Sequence, residues 1–157
     1  DVRAVSVFTH YVSEFEFRCD EPEGRGGRGE APSPLRYLLS SLAFCQQVWY
    51  AKGAAIVGCE VVALEINVET FMDMRGEHLI DEIPTHPQWF LVTALVDSPS
   101  PSKDVEAMAE EANSRCPVYG LLSRAVPIYN RLLHNGVVLK DAIPPGPPDG
   151  KGKKERA

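Results

Sequence analysis

The segment 34–57 constrains the fold more than any other part of this 157-residue chain. Ser33 is a residue type that caps helices, and Pro34 suits the first helical position, where a missing N–H costs nothing. Apolar residues then recur at three- and four-residue steps, the spacing of one helix face: Leu35, Leu38, Leu39, Leu42, Cys45 and Trp49. The pattern predicts a helix from 34 to about 57 with Cys45 on its buried face. At ~1.5 Å per residue it is roughly 36 Å long, which favours burial against a second copy of the chain.

Strands are predicted where apolar and polar residues alternate. They cover residues 2–9, 14–19, 60–70 and 89–97, with a last short strand over 137–139. Helical spacing predicts a helix over 103–114 and another from Cys116 to about Ala125, which Pro127 ends. The glycine-rich run 23–30 predicts a mobile flap or connector. Antiparallel-looking strands, a long central helix and a later helix pair together predict an α+β fold.

The size and composition of the chain predict one domain, residues 1–143, followed by a disordered basic tail, 144–157, which has nothing to bury. The net charge of -6 argues against binding to nucleic acid, because phosphate neutralisation needs a basic face. No apolar run is long enough to span a membrane. The N-terminal residues show no signal-peptide pattern, which predicts a cytoplasmic protein.

The four cysteines, at 19, 45, 59 and 116, are too widely and irregularly spaced for a disulfide framework. No Cys-x-x-Cys run or Cys/His cluster offers tetrahedral ligands, so we expect no metal and no other cofactor. Cys45 by itself fits an inert core residue, because free cysteine is among the most buried residue types. We interpret Cys19 and Cys59 as structural.

Cys116 has the stronger physical case for activation. It precedes Pro117, so it should lie at a helix N-cap, where unpaired N–H groups favour an anion. Arg115 adds a positive charge beside it, and both features favour the reactive thiolate. The alternative is that Cys116 is only a small capping residue.

Two segments together resemble the motifs of the OsmC/Ohr family of hydroperoxide-resistance proteins. The first, 31–45, has a small residue, Pro, Ser and Pro, then leucines and small residues, and ends at Cys45. The second, 113–118, contains Cys116, Pro117 and Val118. The strand between them, the acidic helix before the second motif and the glycine-rich loop before the first follow the family's order. The resemblance implies an intertwined homodimer, with antiparallel sheets flanking long central helices and active sites at the subunit interface.

The resemblance also implies a reaction. Cys45 would attack an organic hydroperoxide, Cys116 would then close a disulfide, and a small or lipoylated thiol would reduce it. These roles oppose the argument above, by which Cys116 is better placed to ionise.

The chain departs from the family pattern at one position. Peroxidases of this family carry a Glu just after the motif's proline, where it holds an Arg against the reactive thiolate; here Leu35-Arg36 follows. Arg3 and Arg18 are the candidates for that Arg, and Glu30 for the carboxylate. A thiolate in an apolar site without a charge partner should have a raised pKa and react slowly.

Three functions are therefore open. The first is a thiol peroxidase that uses Cys45 and Cys116. The second is an OsmC-like protein that binds a small molecule or uses a non-redox cysteine. The third is an interaction module whose acidic surface or basic tail recruits a partner.

Overall fold

A computed structural model describes residues 2–146 of the chain. The helices are α1 (Pro34–Val57), α2 (Met74–Glu77), α3 (Ser102–Arg115) and α4 (Pro117–Leu122). The strands are β1 (Ala4–His10), β2 (Ser13–Cys19), β3 (Ala63–Phe71), β4 (Trp89–Asp97), β5 (Ile128–His134) and β6 (Val137–Asp141). The predicted α+β class is confirmed, as are the extent of α1 and the strand over 89–97.

Two compact units make up the chain, residues 1–41 and 42–157. The first contains the β1–β2 hairpin and the loop after it, and the second contains the four remaining strands. The domain boundary at 143 stays a prediction. Most of the predicted tail, from 147 onward, lies outside the described residues.

The second unit contains a four-stranded sheet in the order β3-β4-β5-β6. β3 and β4 pair antiparallel, with Ile66 opposite Ala94, and β5 and β6 also pair antiparallel. β4 and β5 run parallel, so the prediction of purely antiparallel sheets is wrong for this sheet. The connection through α3 and α4 explains the difference, because parallel neighbours need a crossover and helices usually supply it.

Three local predictions were wrong. β5 was not predicted, because its run Ile-Tyr-Asn-Arg-Leu-Leu-His does not alternate cleanly between apolar and polar residues. α4 ends at Leu122, short of the predicted Ala125. The short helix α2 was not predicted.

The core of the second unit lies between α1, α3 and the sheet. α3 buries Val105, Met108, Ala109 and Ala112, the face that its helical spacing predicted. α1 buries Leu42, Gln46, Tyr50, Gly53 and Ala54. This stripe shares only Leu42 with the predicted one, so Cys45 lies beside the buried stripe and is half-buried.

Gly53 explains which face of α1 is buried. A Cβ at this position would lie 2.9 Å from the backbone oxygen of Met108. The absent side chain therefore allows the two helix backbones to approach closely at this point. That approach selects the face of α1 that meets α3.

The first unit begins with a hairpin that leaves large apolar side chains exposed. Seven residue pairs join β1 and β2, from Ala4 with Cys19 to His10 with Ser13. The ring of Phe8 stacks on those of Phe15 and Phe17, yet all three side chains remain more than 40% exposed. A two-stranded hairpin is marginally stable in water by itself.

The loop after the hairpin has a defined fold, and the predicted mobile flap is wrong for it. Glu23–Arg25 form a 3-10 turn, and Gly29 donates its backbone N–H to the carbonyl of Glu21 at 2.9 Å. The carboxylate of Asp20, only 1% exposed, accepts three backbone N–H groups of the loop. Glycine content suggested mobility, but these bonds give the backbone fixed partners.

Within residues 2–146, no helix combines the length and the apolar character needed to cross a membrane.

Candidate active site

Cys116 lies at the junction of α3 and α4, as predicted. It is the last, extended residue after α3 and the N-cap of α4, and Pro117 occupies the first position of α4. The Cys116 Sγ accepts a hydrogen bond from the backbone N–H of Tyr119 at 3.4 Å. The side chain is only 2% exposed, so this cysteine combines a capping role with burial.

Cys45 lies near the middle of α1 and is half-buried. The structure brings its side chain beside Cys116, and both cysteines are free thiols. The two cysteines come from elements far apart in sequence, a helix interior and a helix cap. Their meeting is the geometric condition for any chemistry that uses both sulfurs.

The Cys116 thiol holds its proton strongly. Its pKa is raised from 9.0 to about 11, mainly by burial and then by a hydrogen-bonding interaction with the Cys45 side chain. The backbone N–H of Tyr119 acts in the opposite direction but does not offset burial. The prediction that the helix N-cap favours a Cys116 thiolate is therefore wrong, because desolvation of the thiolate outweighs the capping N–H.

Two hydrogen bonds connect Cys116 to Asn130 through Tyr119. The side-chain amide of Asn130 donates to the hydroxyl oxygen of Tyr119 at 2.8 Å, and the backbone N–H of Tyr119 is the group that the Cys116 Sγ caps. Burial and the nearby Tyr119 raise the pKa of Tyr50 above its ordinary value. Sequence reasoning missed Asn130 and Tyr50: Asn130 lies on the strand that was not predicted, and Tyr50 lies on the unpredicted face of α1.

Arg3 and Arg18, the predicted activating residues, both lie in the first unit, where they line a cavity of about 390 Å³. Arg3 forms an ion pair with Glu30, with Nη1 and Oε2 3.4 Å apart. Arg18 donates instead to Glu16 at 2.6 Å, and its side chain is 75% exposed. Cys19 and Asp20 also line this cavity.

The remaining cysteine, Cys59, is buried and lies among hydrogen-bonded groups just before β3. Its Sγ lies 3.8 Å from the hydroxyl of Ser98, and that hydroxyl donates to the carbonyl of Glu60. This arrangement fits the structural role predicted for it. Among residues 2–146, no cluster of three His, Cys, Asp or Glu side chains is arranged to hold a metal ion.

The family model for OsmC-like proteins matches residues 27–130, which include both cysteines. The chain therefore belongs to the OsmC-like family. No curated protein sequence matches the chain.

Solved structures share the fold at low sequence identity. An OsmC-like protein from Mycoplasma pneumoniae is 16% identical with a TM-score of 0.67, covering 85% of this chain and 97% of that one. An organic hydroperoxide resistance protein OsmC from Legionella pneumophila is 13% identical, with a TM-score of 0.58 and coverage of 85% and 97%. An organic hydroperoxide resistance protein from Elizabethkingia anophelis is 11% identical, with a TM-score of 0.63, covering 86% of this chain and 97% of that one.

Proposed function

We propose that the protein is a thiol peroxidase that reduces organic hydroperoxides through Cys45 and Cys116. The Cys45 thiolate attacks the peroxide O–O bond; the bond breaks, an alcohol leaves and Cys45 becomes a sulfenic acid. The Cys116 thiol then condenses with the sulfenic acid, which forms the Cys45–Cys116 disulfide and releases water. Two equivalents of a small thiol, or one lipoylated dithiol, return both cysteines to thiols by exchange.

The observation that carries this proposal is the contact between the two cysteine side chains. Cys116 keeps its proton and interacts with Cys45, and this interaction raises the pKa of Cys116. A Cys116 thiol that holds its proton is poorly suited to attack first, which supports Cys45 as the attacking group. It also supports Cys116 as the group that reacts second.

Arg3 is the better supported of the two candidate activators. It pairs with a carboxylate, Glu30, which stands four residues before the first helical residue, Pro34. In family peroxidases a Glu holds the activating Arg, and Glu30 supplies that group here although Leu35 stands at the usual position. Arg18 is the second candidate, since it lines the same cavity.

We propose that the protein works as a homodimer in the cytoplasm. The exposed face of α1 carries Phe44, Val48 and Ile56, each more than 50% exposed. The exposed rings of the β1–β2 hairpin add a second apolar surface. Apolar patches of this kind mark surfaces that bind a partner, and the half-buried Cys45 lies next to Phe44 on the helix.

The test is a thiol titration of the reduced protein after one equivalent of cumene hydroperoxide. The wild type should lose two thiols per chain, Cys45→Ser should lose none, and Cys116→Ser should lose one and form a sulfenic acid that dimedone traps. Cys59→Ser is the matched control, because it removes a thiol outside the pair and should still lose two. An unchanged thiol titre in the wild type would contradict the proposal.

A second candidate is an OsmC-like protein that binds a small molecule without redox chemistry. The absence of a carboxylate at Leu35-Arg36 favours it, because the usual partner of the activating Arg is missing from that position. Under this alternative, a ligand that copurifies with the protein should bind Cys45→Ser as tightly as the wild type. Loss of binding in that variant would argue against it.

A further inference from the structure

Asp20 is a buried carboxylate for which the proposed reaction has no use. Its side chain is almost fully enclosed, yet its partners are backbone groups: the N–H of Glu21 at 2.8 Å, of Arg28 at 3.1 Å and of Glu30 at 3.0 Å. The bond from the Glu30 N–H contributes most to a lowered pKa of Asp20. The carboxylate therefore remains ionised at neutral pH and holds the loop from inside.

The loop around Asp20 closes tightly. The backbone N–H of Asp20 donates to the carbonyl of Pro32 at 3.3 Å, which joins the two ends of the loop just before α1 begins. The backbone of Gly27 lies so close to that of Glu21 that a Cβ at Gly27 would lie 1.8 Å from the Glu21 backbone oxygen. Only glycine fits at this position, so Gly27 is required by the close packing of the loop backbone.

The closed loop fixes the position of Glu30. Its backbone N–H is fixed by Asp20, and its carboxylate reaches the guanidinium of Arg3 at 3.4 Å. Asp20, Glu30 and Arg3 all line the same cavity of about 390 Å³. A chain of direct contacts thus runs from the buried carboxylate to the arginine.

We propose that Asp20 is a positioning residue that fixes Glu30 so that Glu30 holds Arg3 at the cavity wall. This inference rests on the proposed function, in which Arg3 is the candidate activating residue. The loop thereby replaces the carboxylate that the helix motif lacks at Leu35. Asp20 acts through the backbone of Glu30, and its charge also attracts Arg3 directly.

Three variants interrupt the chain of contacts at different points. Asp20→Asn weakens the anchor, Gly27→Ala opens the loop while Asp20 is retained, and Glu30→Gln removes the charge that pairs with Arg3. Glu23→Gln and Gly24→Ala are matched controls from the same loop. Glu23 is exposed and Gly24 has nothing within 4 Å of a Cβ position.

Two measurements separate positioning from mere stability of the loop. Trypsin cleavage after Arg25 and Arg28 reports loop opening, and the pH dependence of the reaction with cumene hydroperoxide reports the apparent pKa of the attacking thiol. Asp20→Asn and Gly27→Ala should speed cleavage. All three variants should raise the apparent pKa by about one unit and slow the reaction about tenfold near neutral pH, because the thiolate loses a placed cation. Both controls should match the wild type.

Loop opening without any change in the apparent pKa would overturn the inference while the proposed function stands. Nuclear magnetic resonance of the Arg3 side-chain N–H group gives a reading that does not depend on peroxidase activity. Its signal should move toward that of free arginine in Gly27→Ala, which retains the Asp20 charge, as it does in Glu30→Gln. An unmoved signal in Gly27→Ala would overturn the inference. A moved signal in a wild-type protein that consumes no hydroperoxide would retain the positioning role and reject the proposed function.

Discussion

Raising the pH from 7 to 10 should destabilise the reduced protein through one buried thiol, that of Cys116. Its pKa is about 11 in the folded chain against an ordinary value of 9.0. A group whose pKa is raised by folding supports the folded state below the unfolded pKa, and this support is lost as the pH rises toward the folded value. The loss should therefore begin near pH 9.

The size of the effect follows from the two pKa values. At pH 10 the thiol is about nine-tenths ionised when unfolded and about one-tenth ionised when folded, so the folding equilibrium shifts about tenfold, or about 1.4 kcal/mol. The full shift, reached above pH 11, is about 2.7 kcal/mol, taking two pKa units at about 1.36 kcal/mol each. Desolvation is the main cause, so most of the effect should survive Cys45→Ser.

The assay is urea unfolding at pH 7 and pH 10 under a non-thiol reductant, on the wild type and on Cys116→Ala. Subtracting the two pH differences cancels the titration of groups that both proteins share. We expect the wild type to lose about 1 kcal/mol more than the variant over this range. Equal losses in the two proteins would refute the argument that burial holds the proton on Cys116.

Three further substitutions test the packing and the assembly. Gly53→Ala should lower the free energy of unfolding by about 1–3 kcal/mol, because its Cβ would meet the Met108 backbone 2.9 Å away. Gly120→Ala, with nothing within 4 Å, should raise it by up to about 1 kcal/mol; both are measured by urea unfolding. Gln46→Met should raise stability by about 1 kcal/mol, since both amide atoms of the buried Gln46 are without a partner in the described chain; a loss of stability would contradict this. Val48→Asp should convert the proposed dimer to monomers in sedimentation velocity at a concentration where Gln47→Asp remains dimeric.

Local chemistry was enough to predict the elements with strong periodic signals. α1 begins at Pro34 and ends at Val57, and β4 covers Trp89–Asp97, as the pattern of apolar residues predicted. Cys116 lies at the helix N-cap for the same reason, because proline at the first helical position is a local signal. β5 was missed because its polar residues break the alternation on which a strand prediction depends.

The meeting of the two cysteines could be predicted from the sequence, but the electrostatics of Cys116 could not. The order of the two motifs pointed to Cys45 and Cys116, and the structure places their side chains together. The N-cap position alone predicts a lowered pKa for Cys116, which is the wrong direction. Burial removes water from the thiolate, and this raises the pKa by more than the Tyr119 N–H lowers it. The loop 20–32 shows the same limit: its glycines indicated mobility, and its order comes from the Asp20 carboxylate.

Capping residues, periodicity and the two cysteine motifs act over a few neighbouring residues. The amino-acid sequence alone therefore sufficed for α1, α3, the start of α4, most strands and the family. The buried face of α1, the raised pKa of Cys116 and the carboxylate that meets Arg3 all depend on groups brought together from distant segments. The burial and hydrogen bonding of these groups depend on neighbours that come together only when the chain folds.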